Sequence, residues 1–184
     1  MQNVLKELET RMSGAVDSLS RDLASVRTGR ASTALLDGIR VEYYGTPTPL
    51  NQMASVSTPD ARTITIQPWE VTQLKDIEKA IVKSDLGLTP ANDGKVIRLT
   101  MPTPTEERRK QLVKNVHKMA EDTRVAVRNI RREANDRLKQ MAKEKKVSED
   151  EERRGHDQIQ KTTDKFVAKV DEVLKKKEQE ILTF

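Results

Sequence analysis

The sequence contains no cysteine, two histidines and very few aromatic residues. Without cysteine there is no disulfide framework, no thiolate zinc site and no cysteine nucleophile. His117 and His156 are too few for a histidine-rich metal site. One Trp, two Tyr and two Phe among 184 residues cannot build one thick core of bulky side chains. No apolar run approaches the roughly 18 residues that suggest a membrane-spanning helix. Met1-Gln-Asn-Val-Leu-Lys-Glu7 alternates charge and apolar residues where a signal peptide would carry an apolar stretch. The expectation is a cytoplasmic protein of one domain or two small ones.

Charge is what the sequence has in excess. Charged residues make up 34% of the chain, against about 25% in ordinary globular proteins. There are 34 Lys+Arg and 29 Asp+Glu, for a net charge of +5. Leu, Ile, Val and Met nevertheless recur too regularly for a disordered chain.

The pattern of recurrence divides the chain in three. Leu5, Leu8, Met12, Ala15, Leu19, Leu23 and Val26 step by three and four, which predicts a helix with one narrow seam. It ends at Arg27-Thr-Gly-Arg30. All seven prolines lie between Pro47 and Pro104, and there the periodicity changes. Ile39–Tyr43 alternates as a strand, stopped by Gly45-Thr-Pro-Thr-Pro49. Met53–Val56 and Thr63–Ile66 are further strands, and Val71, Leu74, Ile77, Ala80 and Ile81 are a helix closed by Gly87. Asp93-Gly94 then turns the chain into a last strand, Val96–Met101. Thr105 caps a second long helix running from Glu106 to Lys146, about 60 Å long at 1.5 Å per residue. Its seam is Leu112, Val116, Met119, Thr123, Val127, Ile130, Ala134, Leu138 and Met141. Ser148-Glu-Asp-Glu151 has the spacing of a capping box and opens a third helix, with Ile159, Thr162, Phe166, Val170, Val173 and Ile181 on its seam. Gly155 weakens that helix by about 1 kcal/mol.

Three helices that cannot bury their own seams predict a three-helix bundle. The fold class is α+β: a discontinuous bundle from residues 1–30 and 105–184, with a small β/α domain, 31–104, inserted between them. Two neighbouring strands of chain connect the parts, which suits a hinge at Arg30, Ala31, Pro104 and Thr105.

Dividing the charge locates it. Residues 106–146 carry 14 basic and 7 acidic groups, +7, whereas 31–105 carry 7 and 8, and 147–184 carry 8 and 10. On a helical wheel with Val127 at the origin, Arg131, Arg124, Lys110, Arg128, Lys139, Lys146, Lys114, Arg132 and Lys143 fall within an arc of about 120° beside the seam. Glu106, Glu107 and Glu121 intrude on that arc. Such a stripe is either a solvated face paired with acids of neighbouring helices or a phosphate-binding surface, for which arginine is well suited. With few aromatics for bases to stack on, the second alternative means structured RNA gripped by shape and backbone.

Other features carry less. Arg27-Thr-Gly-Arg30 is a phosphate-contacting loop or a helix end stopped by Gly29. Trp69 belongs in the core of the small domain, and Tyr43-Tyr44 puts one ring inward and one outward. Asp93-Gly94-Lys95 ends like a P-loop, but Thr89 stands where the first glycine is required and Val96 where Ser or Thr is. No catalytic grouping stands out, so no enzyme, cofactor or metal is expected.

Arg27-Thr-Gly-Arg-Ala-Ser32, Val41-Glu-Tyr-Tyr-Gly-Thr-Pro-Thr-Pro-Leu50, Ser84-Asp-Leu-Gly-Leu88, Thr105-Glu-Glu-Arg-Arg-Lys110 and Arg124-Val-Ala-Val-Arg-Asn-Ile-Arg-Arg-Glu133 occur in this order, followed by Ser148-Glu-Asp150 and Lys177-Glu-Gln-Glu-Ile-Leu182. Together they resemble the bacterial ribosome recycling factor family over the whole chain. The resemblance implies an L-shaped, monomeric protein, tRNA-like in outline, whose bundle binds large-subunit rRNA. It implies splitting of the post-termination ribosome into subunits with elongation factor G and GTP, and a hinged small domain on which that factor pushes. By motif, Arg132 matches the family's key RNA-contacting arginine. Arg128, Arg131, Arg27, Arg30 and Arg109 sit in matching basic motifs, with Lys110 and Arg124 beside them. The chain departs from the family at Ser32-Thr33, where many relatives have Asn-Pro, and at Pro104, where Leu is usual. Two other readings of the residues remain: an interaction protein whose bundle docks a helical partner, and a general RNA chaperone.

Overall fold

The computed structural model describes residues 1–183. The chain forms two compact units, Met1–Thr28 with Glu106–Thr183, and Gly29–Thr105. The α+β class and the three-helix bundle both follow the sequence patterning.

The first unit is helical throughout. Helices α1 (Gln2–Ser25), α3 (Glu106–Lys143) and α4 (Glu149–Leu182) pack pairwise on one another. Their shared core contains Leu8, Met12, Leu19, Val116, Val127, Leu138, Ile159, Phe166 and Val170. The seams are rotated slightly from the sequence expectation. Val4 and Val16 are buried where Leu5 and Ala15 are only partly so, and Thr163 and Leu174 replace Thr162 and Val173. Thr163 can be buried because its hydroxyl donates to the Ile159 carbonyl at 2.7 Å.

Helix α3 stops at Lys143, three residues short of the expected end. Lys145 takes a left-handed conformation, φ 55°. The Lys146 N–H then donates to the Met141 carbonyl, and the Lys145 N–H to that of Ala142. This is a Schellman closure built on lysine instead of glycine. Ser148 next caps α4 in both directions. Its hydroxyl accepts from the Glu151 N–H at 3.2 Å, and its own N–H donates to the Glu151 carboxylate at 2.8 Å. Gly155 is buried, and a Cβ there would lie 2.5 Å from Leu138 Cδ2. Its cost in helix propensity therefore secures a close approach of α4 to α3.

The second unit holds α2 (Leu74–Lys83) and two antiparallel sheets. Strands β1 (Arg40–Tyr43) and β2 (Thr46–Pro49) form a hairpin, while β3 (Ala54–Ser57), β4 (Thr63–Pro68), β5 (Pro90–Asn92) and β6 (Ile97–Thr100) run in the order β3-β4-β6-β5. The residues expected to stop the first strand are its return strand. Tyr44 and Gly45 both adopt positive φ, 48° and 79°, as the two-residue turn with the right twist requires. The prolines of β2 are tolerated because β2 pairs with β1 alone. Alternation in β4 and β6 sends Ile64, Ile66, Ile97 and Leu99 inward onto Leu74, Ile77 and Ile81 of α2.

Trp69 is not in this core; it is 69% exposed. Period-two alternation places Ile64, Ile66 and Pro68 inward, so the next residue falls out of phase. Val71 is also exposed, in a 3-10 turn that precedes α2. Tyr43 is half-buried and Tyr44 exposed. Both phenols donate to the Glu70 carboxylate, at 2.9 and 3.1 Å, and these bonds raise both phenol pKa values.

Candidate nucleic-acid interface

Helix α3 buries Leu112, Val116, Ala120, Val127, Ile130, Ala134 and Leu138. The basic residues flank that seam by helical geometry alone. What each one can do depends on whether the fold already supplies it with an acid.

Arg124 is fully engaged. Its Nε and Nη2 reach Asp171 of α4 at 3.0 and 2.5 Å, and its Nη1 reaches Glu121 at 3.1 Å. The side chain is only 19% exposed, and the Asp171 hydrogen bond raises its pKa despite partial desolvation. Arg128 holds the other oxygen of Glu121 at 3.2 Å. Between them the two guanidinium groups keep the Glu121 carboxyl below the usual carboxylate range, the Arg124 hydrogen bond contributing most. Lys110 pairs with Glu106 one turn earlier at 2.8 Å, and Lys146 with Glu144 at 2.5 Å.

The next turns of α3 are different. Among the described residues Arg132, Lys139 and Lys143 are exposed and Arg131 is half-buried, and none of the four has an acidic partner. Two nearby acids are engaged elsewhere: Glu133 pairs with Arg11 of α1 at 2.6 Å, and Glu7 of α1 takes Arg137. The stripe thus has an open stretch, Arg131 to Lys143, beyond the paired Arg124 and Arg128. Open arginines on a rigid helix fit phosphate oxygens without breaking an existing pair.

The remaining candidates are not part of that stretch. Arg109 lies 23 positions before Arg132, about 35 Å along the helix. It lines a cavity of about 540 Å³ with Glu106, Lys110, Val113, Glu178 and Leu182, and its Nε is buried without a hydrogen-bond partner. His117 is close to Glu178 as well, at 3.4 Å. Arg27 is exposed just beyond α1, which ends in extended backbone at Val26. Arg30 belongs to the second unit, as do Ala31, Pro104 and Thr105. Ala31 is tied into that unit by its N–H to the Ala61 carbonyl at 2.8 Å. Asp93-Gly94-Lys95 is a side-chain-stabilised turn, Asp93 accepting from the N–H groups of Lys95 and Val96. Among the described residues no three His, Cys, Asp or Glu are grouped to hold a metal ion, and no helix is long and apolar enough to cross a membrane.

Sequence reasoning did not reveal the Asp171–Arg124–Glu121–Arg128 chain. Glu121 was visible as an acid intruding on the stripe, but the partner on α4 depends on how the helices face each other. The spacing of three and seven residues from Glu121 to the two arginines is the one signal that could have marked it.

Residues 19–182 match the profile of the family described as ribosome recycling factor. The chain belongs to the ribosome recycling factor family. The ribosome-recycling factor of Oleidesulfovibrio alaskensis is 59% identical over 182 residues, covering 99% of both chains. That of Natranaerobius thermophilus is 55% identical over 184 residues and covers both chains completely. Among solved structures, a ribosome recycling factor in solution matches with a TM-score of 0.69 at 42% identity, covering 100% of this chain and 97% of the other. A second, the T. thermophilus ribosome recycling factor with E. coli elongation factor G on the E. coli post-termination complex, matches with a TM-score of 0.61 at 52% identity over 98% of each chain. Ribosome recycling factors of this similarity share the length, order and fold of the present chain.

Proposed function

We propose that this protein recycles ribosomes after termination, acting with elongation factor G and GTP to split the post-termination complex into subunits. The bundle binds large-subunit rRNA through the open stretch of α3, with Arg132 as the principal phosphate contact and Arg131 and Arg128 beside it. Arg27 of the helical unit and Arg30 of the β/α unit are read as further contacts, and Arg109, Lys110 and Arg124 as supporting basic residues elsewhere on α3. The protein works as a monomer in the cytoplasm, and the GTP is hydrolysed by the partner.

The observation that carries this reading is that Arg131 and Arg132 have no acidic partner on a helix where Arg124, Arg128 and Arg137 are each paired with one. A bundle that needed these residues for its own stability would supply them with acids, as it does for Arg11, Arg124 and Arg137. The relative bound with elongation factor G to a post-termination complex supports the choice of partner. The chain passes twice between the two units, near Thr28–Gly29 and near Thr105–Glu106. Those passages, with Arg30, Ala31, Pro104 and Thr105, are read as a hinge through which force on the β/α unit reaches the bundle. Because Ala31 and Met101 are hydrogen-bonded within the β/α unit, to Ala61 and Arg62, the free links are short, which favours directed swinging over loose tethering.

The test is subunit splitting. Purified post-termination ribosomes with elongation factor G and GTP should release free subunits faster when the protein is added. No increase in free subunits refutes the proposal. A steep loss of ribosome binding with rising salt is expected for rRNA contact, and indifference to salt would instead favour a protein interface.

A further inference from the structure

Glu121 occupies an unusual position: it engages Arg128, the last paired arginine of the stripe before the open stretch. Its two oxygens are used separately, one 3.1 Å from Arg124 Nη1 and the other 3.2 Å from Arg128 Nη1. Arg124 does not depend on it, because Asp171 already takes its Nε and Nη2. For Arg128, Glu121 is the one acidic partner among the described residues. Both members of that pair are accessible, the Arg128 side chain being 44% exposed and that of Glu121 52%. Exposed pairs of this kind exchange partners at little cost.

We propose that Glu121 acts as an internal stand-in for a phosphate, holding Arg128 until an RNA that also engages Arg131 and Arg132 displaces it, and so sets selectivity for rRNA over other RNA. This inference rests on the rRNA-binding reading above and adds to it a specificity-determining residue. Glu121 offers Arg128 one carboxylate oxygen, and a phosphate oxygen can take its place without rebuilding the arginine. A lone duplex phosphate near Arg128 must compete with a tethered carboxylate and gains little. A site that also fills the open stretch one turn further on offsets the exchange with its other contacts. Glu121 thereby discriminates by penalising partial matches, which is selectivity through competition and not through added affinity.

Glu121→Gln keeps the shape and one acceptor but removes the charge. It should bind an unrelated RNA duplex about two- to fivefold more tightly at about 0.1 M salt, the range expected from freeing one exposed pair. The salt dependence of duplex binding should steepen by up to about 0.9 in the log–log slope. Affinity for purified large subunits should rise less, so the ratio of subunit to duplex affinity falls. Adding Arg128→Gln should abolish the gain, because the effect runs through that side chain. Unchanged duplex affinity in Glu121→Gln overturns the proposal. A gain that persists when Arg128 is also replaced overturns it too, since it would reflect net charge alone. If the unsubstituted protein bound neither duplex nor subunits, the rRNA-binding reading would fail first and this inference with it.

Discussion

The helical unit and the β/α unit bury apolar surface in different ways, and the difference decides where charge can gather. Each long helix hides one seam and leaves most of its circumference in water. Helix α3 fills that free surface with 12 basic against 6 acidic residues over 106–143, an excess of six positive charges. The β/α unit gathers Ile64, Ile66, Ile97, Leu99 and the inner face of α2 into one small core, and residues 31–105 have a net charge of −1. A long helix can therefore carry a continuous one-signed stripe, whereas the sheet offers only alternate positions on short strands. The same contrast separates the two sets of arginines within the bundle. Arg11, Arg124 and Arg137 reach acids on a neighbouring helix, whereas Arg131 and Arg132 have no acidic partner among the described residues.

The largest effects should come from the two cores. Phe166→Ala should destabilise the helical unit by about 3–5 kcal/mol and Ile66→Ala the β/α unit by about 2–5 kcal/mol, since both side chains are buried. Hydrogen exchange should show Phe166→Ala accelerating amides of α1, α3 and α4 while β4 and β6 keep their protection. An even loss across the whole chain would mean that the two cores melt as one and would break the comparison. At Gly155 the effect should be intermediate. Gly155→Leu should cost about 1–3 kcal/mol by overpacking, because even a Cβ meets Leu138 Cδ2 at 2.5 Å. Gly155→Ala should change stability by less than about 1 kcal/mol, a helix-propensity gain of about that size opposing the displacement of Leu138. Thermal unfolding of the two variants decides it.

Trp69 sharpens the description of the β/α unit. Trp69→Ala should shift stability by no more than about 0.5 kcal/mol, as for other surface substitutions, and Trp69 fluorescence should be that of a water-exposed indole. A loss of several kcal/mol would put the ring back in the core. The smallest effect concerns the start of α4. Hydrogen bonds from the Ser148 backbone and hydroxyl hold the Glu151 carboxyl below its ordinary 4.5. A lowered folded-state pKa contributes stability that is fully present above the unfolded value and is lost as pH falls through the folded one. The first turn of α4 should therefore fray below about pH 4.5, seen as faster exchange of the Glu151 amide; Glu151→Gln should remove that pH dependence, whereas Ser148→Ala, which keeps the backbone N–H, should only weaken it.

The helices were legible in the sequence because a seam repeats over many turns and errors in single positions average out. Val4 for Leu5 and Thr163 for Thr162 are rotations of one position that leave the element intact. The β/α unit was less legible because its strands are three to six residues long, so one misplaced residue changes the face. Trp69 falls just past β4, where its bulk argues for burial and the alternation of the strand argues against it. Strand β2 was hidden by its prolines, and β5, Pro90–Asn92, is too short to show alternation. The basic stripe was legible as a position on α3. The pairing of Arg124 was not, because Asp171 comes from another helix and only the packing brings it to Arg124.

The central claim is that the open arginines of α3 hold rRNA, and Arg132→Ala tests it most directly. Binding of this variant to purified large subunits should be followed across a salt series, beside its thermal melt. The account predicts an unchanged melt, a loss of about tenfold in affinity, and a salt slope shallower by about one. Affinity and slope equal to those of the unsubstituted protein, at both low and moderate salt, would contradict it.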